Sequence, residues 1–418
     1  MALVVQKYGG TSVADPERIK AVARRVLARK QAGDQLVVVL SARAGDTDQL
    51  LKLGRQIVDN PDAREMDVLL ATGEQITIAL FCIAVKAMGS EAVSMTGYQA
   101  GIITDGRFGQ ARINWIQTEP ILEKLSEGKI VVVAGFQGYD DEGNITTLGR
   151  GGSDTTAVAL AASLEASVCE IYTDVEGVFT ADPNVCSKAR KLEKISYEEM
   201  LEMASMGAKV LHPRSVEFGM KYGVPIMVLS SFCEVPGTLV TREDEMMEKV
   251  AVIGVTCNMS ESRVTITNIP DQPGIAAKVF RPISAASINV DLIVQGTSGE
   301  PGKADISFTV PQVSYDQTMD ILNSIAPELG NCRVLGDTEI AKVSIIGLGM
   351  RSHSGVATKM FETLSRENIN IKMIATSEIK ISCVIDAKYA ELAQRVLHDA
   401  FGLEKKSPGG ATQCQGEK

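Results

Sequence analysis

The sequence predicts an α/β protein in two parts: a mostly parallel sheet sandwiched by helices, followed by two interlocked ferredoxin-like α+β modules. Three observations carry this expectation. Short apolar runs alternate with amphipathic stretches from Leu3 to Leu229. The second half repeats itself: aligning Gly274 with Gly355 pairs Ala276 with Ala357, Lys278 with Lys359, Phe280 with Phe361, Ser284 with Ser365, and Ile288-Asn289 with Ile369-Asn370. A further apolar strand, Val250 to Thr256, stands unassigned ahead of the first copy.

Leu3 to Tyr8 is an apolar run ending in Gly9-Gly10. Asp15-Pro16 then supplies a helix cap and a first-turn proline before Ile19, Val22, Ala23, Val26 and Leu27 recur at helical spacing. The alternation continues with strands at Leu36–Leu40, Ala92–Met95, Ile130–Ala134, Val168–Tyr172 and Ile226–Leu229. Helices are expected at Asp67–Met88, Asn114–Ser126, Ser153–Leu164, Tyr197–Val210 and Pro213–Tyr222. Strands this apolar have no wet face, which argues for a parallel sheet covered on both sides, with ligands at the carboxyl ends of its strands. The charged segment Arg242–Lys249 marks the boundary, giving a first domain of residues 1–245.

The first repeat reads strand, helix, strand, strand, helix, strand over Val264–Ile269, Gly274–Ala286, Asn289–Gln295, Ala304–Val310, Ser314–Ile325 and Cys332–Leu335. Ser314 and Gln317 have the spacing of a capping box. The second repeat ends with the helix Tyr389–Phe401 and lacks a last strand, so the strand at Val250–Thr256 is expected to cross over and complete it. The modules are then residues 264–336, and residues 250–258 plus 340–405, with 406–418 a polar, flexible tail.

At 418 residues, 45% hydrophobic and 22% charged, the chain has globular composition, and its net charge of −10 leaves no broad cationic face for a nucleic-acid backbone. No uninterrupted apolar run approaches the roughly 18 residues of a membrane span, and Met1–Gln6 leads into Lys7 without a signal core. A soluble, cytoplasmic protein with neither membrane nor nucleic-acid partner is expected. The eight cysteines (82, 169, 186, 233, 257, 332, 383 and 414) include no Cys-x-x-Cys pair, and His212, His353 and His398 have no second ligand at metal spacing. Reduced thiols and no protein-held metal follow. Met200, Met203 and Met206 read as core.

The chemistry is concentrated in glycine turns. Lys7-Tyr8-Gly9-Gly10-Thr11-Ser12 lets backbone approach an anion closely and adds a point charge. Ser41 to Thr47 is a hydroxyl-bearing turn after the second strand, and Gly149-Arg150-Gly151-Gly152-Ser153-Asp154 opens a helix with an arginine able to grip a carboxylate. Each alone is a tight turn or a cap. Together, at strand ends of one sheet, they point to a site for phosphate plus carboxylate.

With Thr173-Asp174-Val175-Glu176-Gly177-Val178-Phe179-Thr180-Ala181-Asp182-Pro183 added to the first and third turns, and the repeats resembling paired ACT domains, the sequence resembles the aspartate kinases of the amino acid kinase family over essentially its whole length. The resemblance implies transfer of the γ-phosphoryl of ATP, with Mg²⁺, to the side-chain carboxylate of L-aspartate. The product, 4-phospho-L-aspartate, begins lysine, threonine and methionine biosynthesis. It makes Lys7, Asp154 and Lys209 catalytic: Lys7 and Lys209 neutralise phosphate charge, and Asp154 pairs with Lys7 and keeps register. ATP would meet Lys7, Tyr8, Gly9, Gly10, Ser41, Thr173, Asp174, Phe179, Asp182, Pro183, Asn184 and Lys209. Aspartate would meet Ser41, Thr47, Glu74, Arg150, Gly151, Gly152, Ser153 and Asp154, with Arg150 on its α-carboxylate and Glu74 on its ammonium. The family often has Tyr and Arg where this chain has Phe179 and Asn184, and Arg43 is unusual in its loop.

The resemblance also implies feedback by lysine, threonine or both. Asp271, Gly274, Ile275, Ala276, Asn289, Gln295, Asn370, Thr376 and Ser377 are the candidate effector contacts, although Ser352 stands in the second copy where Asp271 stands in the first. A homo-oligomer is expected, and Met246 and Met247 allow a separately started short subunit made of the ACT modules. Two alternatives remain at this level: a sister kinase acting on another carboxylate or on a nucleotide monophosphate, and a non-catalytic amino-acid sensor.

Overall fold

The computed structural model describes residues 2–205, 210–244, 247, 250–298, 300–330 and 332–405. It divides into two compact units, Met1–Val178 with Lys191–Asp244, and Phe179–Arg190 with Glu245–Lys418.

The first unit runs β1 (Leu3–Tyr8), α1 (Pro16–Gln31), β2 (Gln35–Leu40), α2 (Asp46–Ile57), α3 (Ala63–Ala87), β3 (Ala92–Met95), β4 (Ile102–Thr104), β5 (Ile113–Ile116), α4 (Glu119–Ser126), β6 (Ile130–Ala134), β7 (Gln137–Tyr139), β8 (Ile145–Thr147), α5 (Gly152–Ser163) and β9 (Val168–Thr173). It closes with β10 (Lys194–Ser196), α6 (Tyr197–Ser205), α7 (Pro213–Tyr222), β11 (Ile226–Ser230) and β12 (Thr238–Thr241). Eight strands make one sheet in the order β10-β12-β11-β9-β1-β2-β6-β3, parallel at every pairing except β11 with β12. The central strands are buried on both faces because Val and Ile fill successive positions, as in β2 and β6. On α1, Asp15 accepts from the Arg18 amide at 2.9 Å and Pro16 occupies the first turn, the cap that the sequence predicts.

Helix α3 is long and apolar enough to cross a membrane by length and composition, yet it is a core helix: Ile78, Phe81, Cys82 and Val85 pack into the sheet's main cluster. The helix expected over Asn114–Ser126 begins only at Glu119. Ile113–Ile116 is instead a strand paired with β4, in a small sheet ordered β5-β4-β7-β8, and Pro120 sets the helix start in its first turn. Helix α2 and this small sheet are absent from the sequence reading because their apolar runs are too short to give a period.

The second unit runs β13 (Gly254–Asn258), β14 (Glu261–Pro270), α8 (Ile275–Ala285), β15 (Ile293–Thr297), β16 (Lys303–Pro311), α9 (Tyr315–Ile325), β17 (Arg333–Asp337), β18 (Ile340–Ile346), α10 (Val356–Arg366), β19 (Met373–Thr376), β20 (Lys380–Asp386) and α11 (Ala390–Ala400). Two antiparallel sheets result, β15-β16-β14-β17 and β13-β18-β20-β19. Strand β13 pairs with β18 as β17 pairs with β14, so the strand lying ahead of the first copy completes the second and the modules interlock. It begins at Gly254 rather than at Val250. The repeat is exact in its turns: Gly274 and Gly355 cap α8 and α10 with φ of 89° and 85°, and Ser287 and Asn368 take φ of 57° and 55°. β15 likewise starts at Ile293, later than the expected Asn289. No capping box forms at α9, where Ser314 offers only its carbonyl, to the Thr318 hydroxyl at 2.7 Å.

The two modules share an ion cluster built on a buried lysine. Lys342 on β18 is 1% exposed, and its ammonium pairs with Glu261 of β14 and with Asp291 ahead of β15. Glu261 also accepts from Asn258 at 2.9 Å. Removing the cation would strand a buried carboxylate, so Lys342→Ala is expected to destabilise the protein by about 3–5 kcal/mol. A lowered midpoint in urea denaturation checks this; a loss below about 1 kcal/mol would mean that water compensates Glu261.

Candidate active site

The carboxyl ends of β1, β2, β6 and β9 lie side by side in the sheet, and the glycine turns meet there. Tyr8 and Tyr172, the last paired residues of β1 and β9, stack at 4.5 Å between ring centroids and 9° between planes, which levels the two strand ends. Tyr8 is therefore wholly buried and can offer a nucleotide only its backbone, a narrower part than the resemblance implies.

The first and second turns interlock. The Ala44 amide donates to the Gly10 carbonyl at 3.2 Å and the Ser41 amide to the Tyr8 carbonyl at 3.2 Å. A Cβ on Gly10 would sit 2.7 Å from the Ala42 carbonyl, so only glycine permits this approach. The Gly9 amide makes a long contact of 3.4 Å with the Tyr172 carbonyl. Thr47 lies half-buried in the first turn of α2, and Arg43 pairs with Asp46 at 2.8 Å, which accounts for the unusual arginine as a local brace.

The third turn joins through Lys7. Its ammonium lies 2.6 Å from the Asp154 carboxylate, with side-chain exposures of 11% and 14%. Gly151 takes φ of 72° as the cap of α5, a conformation that favours glycine, and Gly152 and Ser153 are buried. Arg150 is exposed and makes no ion pair among the described residues.

Helix α3 reaches the same place. Glu74 is 3% exposed; one carboxylate oxygen accepts from the Ala42 amide at 3.0 Å, and the other is buried without a partner among the described residues. Gly73 makes the approach possible, since a Cβ there would lie 2.8 Å from that of Ala42. Burial pushes the Glu74 carboxyl from about 4.5 up to about 7, with nearby Asp46 adding to the rise.

Thr173 and Asp174 follow β9 and hydrogen-bond to each other at 3.1 Å. Phe179, Asp182, Pro183 and Asn184 belong to the second unit, where Asp182 accepts from the Asn184 amide at 2.9 Å and from its side chain at 3.0 Å. Lys209 lies outside the described residues.

Several supporting residues escaped the sequence reading. Gly135-Phe136 forms a fourth strand-end turn after β6: a Cβ on Gly135 would meet Ser153 at 2.8 Å, and Phe136 takes φ of 69°. The run Ala134-Gly135-Phe136-Gln137-Gly138 was the available signal. Asp67, 1% exposed, accepts from the Gly109 amide at 2.9 Å, the Thr147 amide at 2.8 Å and the Thr147 hydroxyl at 2.7 Å, fixing the strand that leads into the third turn. Arg214 donates to the carbonyls of Leu148 and Ala111. His212 makes no side-chain cap on α7; its ring packs on Gly151, whose Cβ it would overlap at 2.1 Å.

Among the candidate effector contacts, Asp271, Gly274, Asn289, Gln295, Asn370, Thr376 and Ser377 are exposed. The Ile275 side chain is 4% exposed in the first module's core with Ala276 packed against it, so these two have mainly backbone to give.

The sequence profile of the amino acid kinase family matches residues 2–230, and ACT domain profiles match residues 263–327 and 343–401. The chain belongs to the amino acid kinase family. It is 55% identical to the aspartate kinase of Pseudomonas putida, over 98% of this chain and all of that one. Among solved structures it is similar to Escherichia coli aspartokinase III in complex with aspartate and ADP (R-state), with a TM-score of 0.80 and 28% identity over 95% of this chain and 99% of that one. The lysine and aspartate complex of that enzyme (T-state) gives a TM-score of 0.74 at 28% identity over 96% of this chain and 99% of that one. Membership in this family fits a site with one ammonium–carboxylate pair, free backbone at glycine turns and an unpaired buried carboxylate.

The unpartnered Glu74 has a thermodynamic signature. Its carboxyl binds a proton more tightly in the folded chain than unfolded, so stability is fullest below about pH 4.5 and falls as pH rises towards 7. Glu74→Gln removes that loss, and at pH 8 the ligand-free variant is expected to be more stable than the parent by about 2–3 kcal/mol, with little gain near pH 4. Thermal unfolding at the two pH values checks this; equal midpoints at pH 8 would mean that Glu74 is already compensated.

Proposed function

We infer that this chain is an ATP-dependent aspartate kinase that transfers the γ-phosphoryl of ATP to the side-chain carboxylate of L-aspartate and is regulated by lysine. The carrying observation is the Lys7–Asp154 pair at the convergence of the glycine turns, with the orphaned Glu74 oxygen opening on the same cluster of loops. The relatives named aspartate kinase and the aspartate, ADP and lysine complexes of the similar enzyme support it.

In this reading the chemistry needs alignment and charge neutralisation, because phosphoryl transfer is largely dissociative and the acceptor carboxylate is already ionised near neutral pH. Lys7 meets the charge that builds on the transferred group, held in place by Asp154. Gly9 and Gly10 offer backbone amides to the phosphates, and Lys209 serves them from its own segment. Magnesium enters bound to ATP as part of the substrate. Arg150, free of other partners among the described residues, takes the α-carboxylate, and Glu74 takes the ammonium, flanked by Ser41, Thr47, Gly151, Gly152 and Ser153. Thr173, Asp174, Phe179, Asp182, Pro183 and Asn184 serve the nucleoside side. The domain limits proposed from sequence are retained, as are threonine as a second effector, a homo-oligomer and a cytoplasmic, reducing location, the last supported by seven free cysteines among the described residues.

Turnover is read as ADP release with aspartate and Mg-ATP, with hydroxylamine trapping the acyl phosphate. Lys7→Ala is expected to cut kcat by about a thousandfold without unfolding the chain, and an active variant would contradict the neutralising role. Glutamate, acetylglutamate and nucleoside monophosphates in aspartate's place separate the sister kinases, and absence of turnover with all would leave only the sensor reading. Because an ammonium binds the ionised form of Glu74, the KM for aspartate is expected to fall by at most about tenfold per pH unit as pH rises towards 7 and to level off above it. Glu74→Gln should flatten that profile; a parent KM that ignores pH between about 5.5 and 7 would remove Glu74 from ammonium recognition.

A further inference from the structure

The loop Phe179–Asn184, assigned above to the nucleotide, is fixed by contacts within the second unit. Thr180 is fully buried, and its carbonyl accepts from the Val255 amide of β13 at 2.8 Å. Its hydroxyl oxygen accepts from the Arg190 amide at 2.9 Å, closing the segment into a hairpin-like excursion, and lies 2.9 Å from Nε2 of His398 on α11. One helical turn earlier on α11, Gln394 donates to the Val255 carbonyl at 3.3 Å. Helix α11 therefore sends two buried polar side chains, Gln394 and His398, to a single junction of β13 with Thr180. Lys188, further along the segment, pairs with Asp399 at 3.0 Å.

His398 is a costly way to fill this place. It is 0% exposed, and its Nδ1 is buried without a partner among the described residues. An apolar side chain would avoid that penalty, so packing does not explain the imidazole. The one polar contact its ring makes among the described residues, to Thr180, does. We propose that His398 is a positioning residue for the nucleotide: by holding Thr180 it fixes the course of Phe179–Asn184, and through it the second ACT module sets the affinity for ATP. The inference rests on the nucleotide assignment of that loop.

Loss of the contact lets the loop leave the binding-competent course, and apparent affinity falls by the fraction that leaves. In the full-length enzyme, His398→Leu is expected to raise the KM for ATP by about three- to tenfold while kcat and the KM for aspartate stay within about twofold. His398→Gln, whose amide reaches the position of Nε2, is expected to restore the parent value. Thr180→Val removes this bond and the one from the Arg190 amide, so it should raise the KM for ATP at least as far as His398→Leu, and the double variant should be no worse than Thr180→Val alone. Should His398→Leu fail to fold, the isosteric Thr180→Val carries the same expectation. Folded variants with the parent KM for ATP, or additive effects in the double variant, would overturn the proposal. Phe179→Ala and Asn184→Ala separate the two layers. If they raise the KM for ATP while His398→Leu does not, only the positioning role falls; if they too leave it unchanged, the loop's nucleotide assignment fails and the inference with it.

Discussion

Lys7 and Asp154 sit on different elements, the end of β1 and the first turn of α5, and their contact at 2.6 Å exists only because the backbone between the elements is bare. Helix α5 packs on β1, and its first turns are built of small residues, Gly152, Ser153, Thr155 and Thr156, of which Gly152 and Ser153 approach Phe136 and Gly135 just after β6, two strands from β1. A larger residue at Gly135 or Gly10 would force the turns to a wider spacing, because its Cβ would sit 2.8 Å from Ser153 or 2.7 Å from the Ala42 carbonyl. At that spacing an ammonium and a carboxylate would each collect water, and the lysine would lose its fixed direction. The ion pair is thus less a source of stability than a consequence of tight packing that keeps one cation aimed into the site.

Glu74 is the counterpart of this arrangement. Lys7 has its partner in the ligand-free chain, whereas Glu74 has one oxygen on the Ala42 amide and the other on nothing among the described residues. A folded protein tolerates such a group where a ligand later supplies the missing contact, since stability is given up for binding. Gly73 and the Ala42 turn press the carboxylate into this position, so the strain is built by the same close backbone approach that joins the other turns.

The fold was largely legible because the apolar runs of β1, β2, β6 and β9 have both faces buried, and the repeat in the second half is anchored on Gly274 and Gly355, which both take a left-handed conformation. What escaped was short or decided by partners distant in sequence. Ile113–Ile116 is four residues whose strand character comes from pairing with β4, and helix α2 has a single buried position. The converging turns, Lys7 to Ser12, Ser41 to Thr47 and Gly149 to Asp154, were readable from residue type and spacing. Those that hold the turns were not: Asp67 reaches Gly109 and Thr147, and Arg214 reaches Leu148 and Ala111, across separations that no local pattern records. His398 was set aside for lack of a metal partner, a test that cannot see a bond to Thr180.

Chain connectivity gives the two units a common mechanical problem. The polypeptide crosses between them after Val178, after Arg190 and after Asp244, so the excursion of residues 179–190 is anchored at both ends to the unit that carries the sheet. Its middle is bonded to β13 and α11, and β13 is also the strand that locks the two modules together. A displacement of β13 against β18 cannot leave Thr180 where it was without breaking the Val255 bond, and a rotation of α11 acts on it through His398. A sensor needs two arrangements that a ligand can tell apart, and an element that both the sensor and the responding site must share. Here that element is covalently part of the loop that follows β9, so no separate chain of contacts has to be invoked between the modules and the Phe179–Asn184 turn.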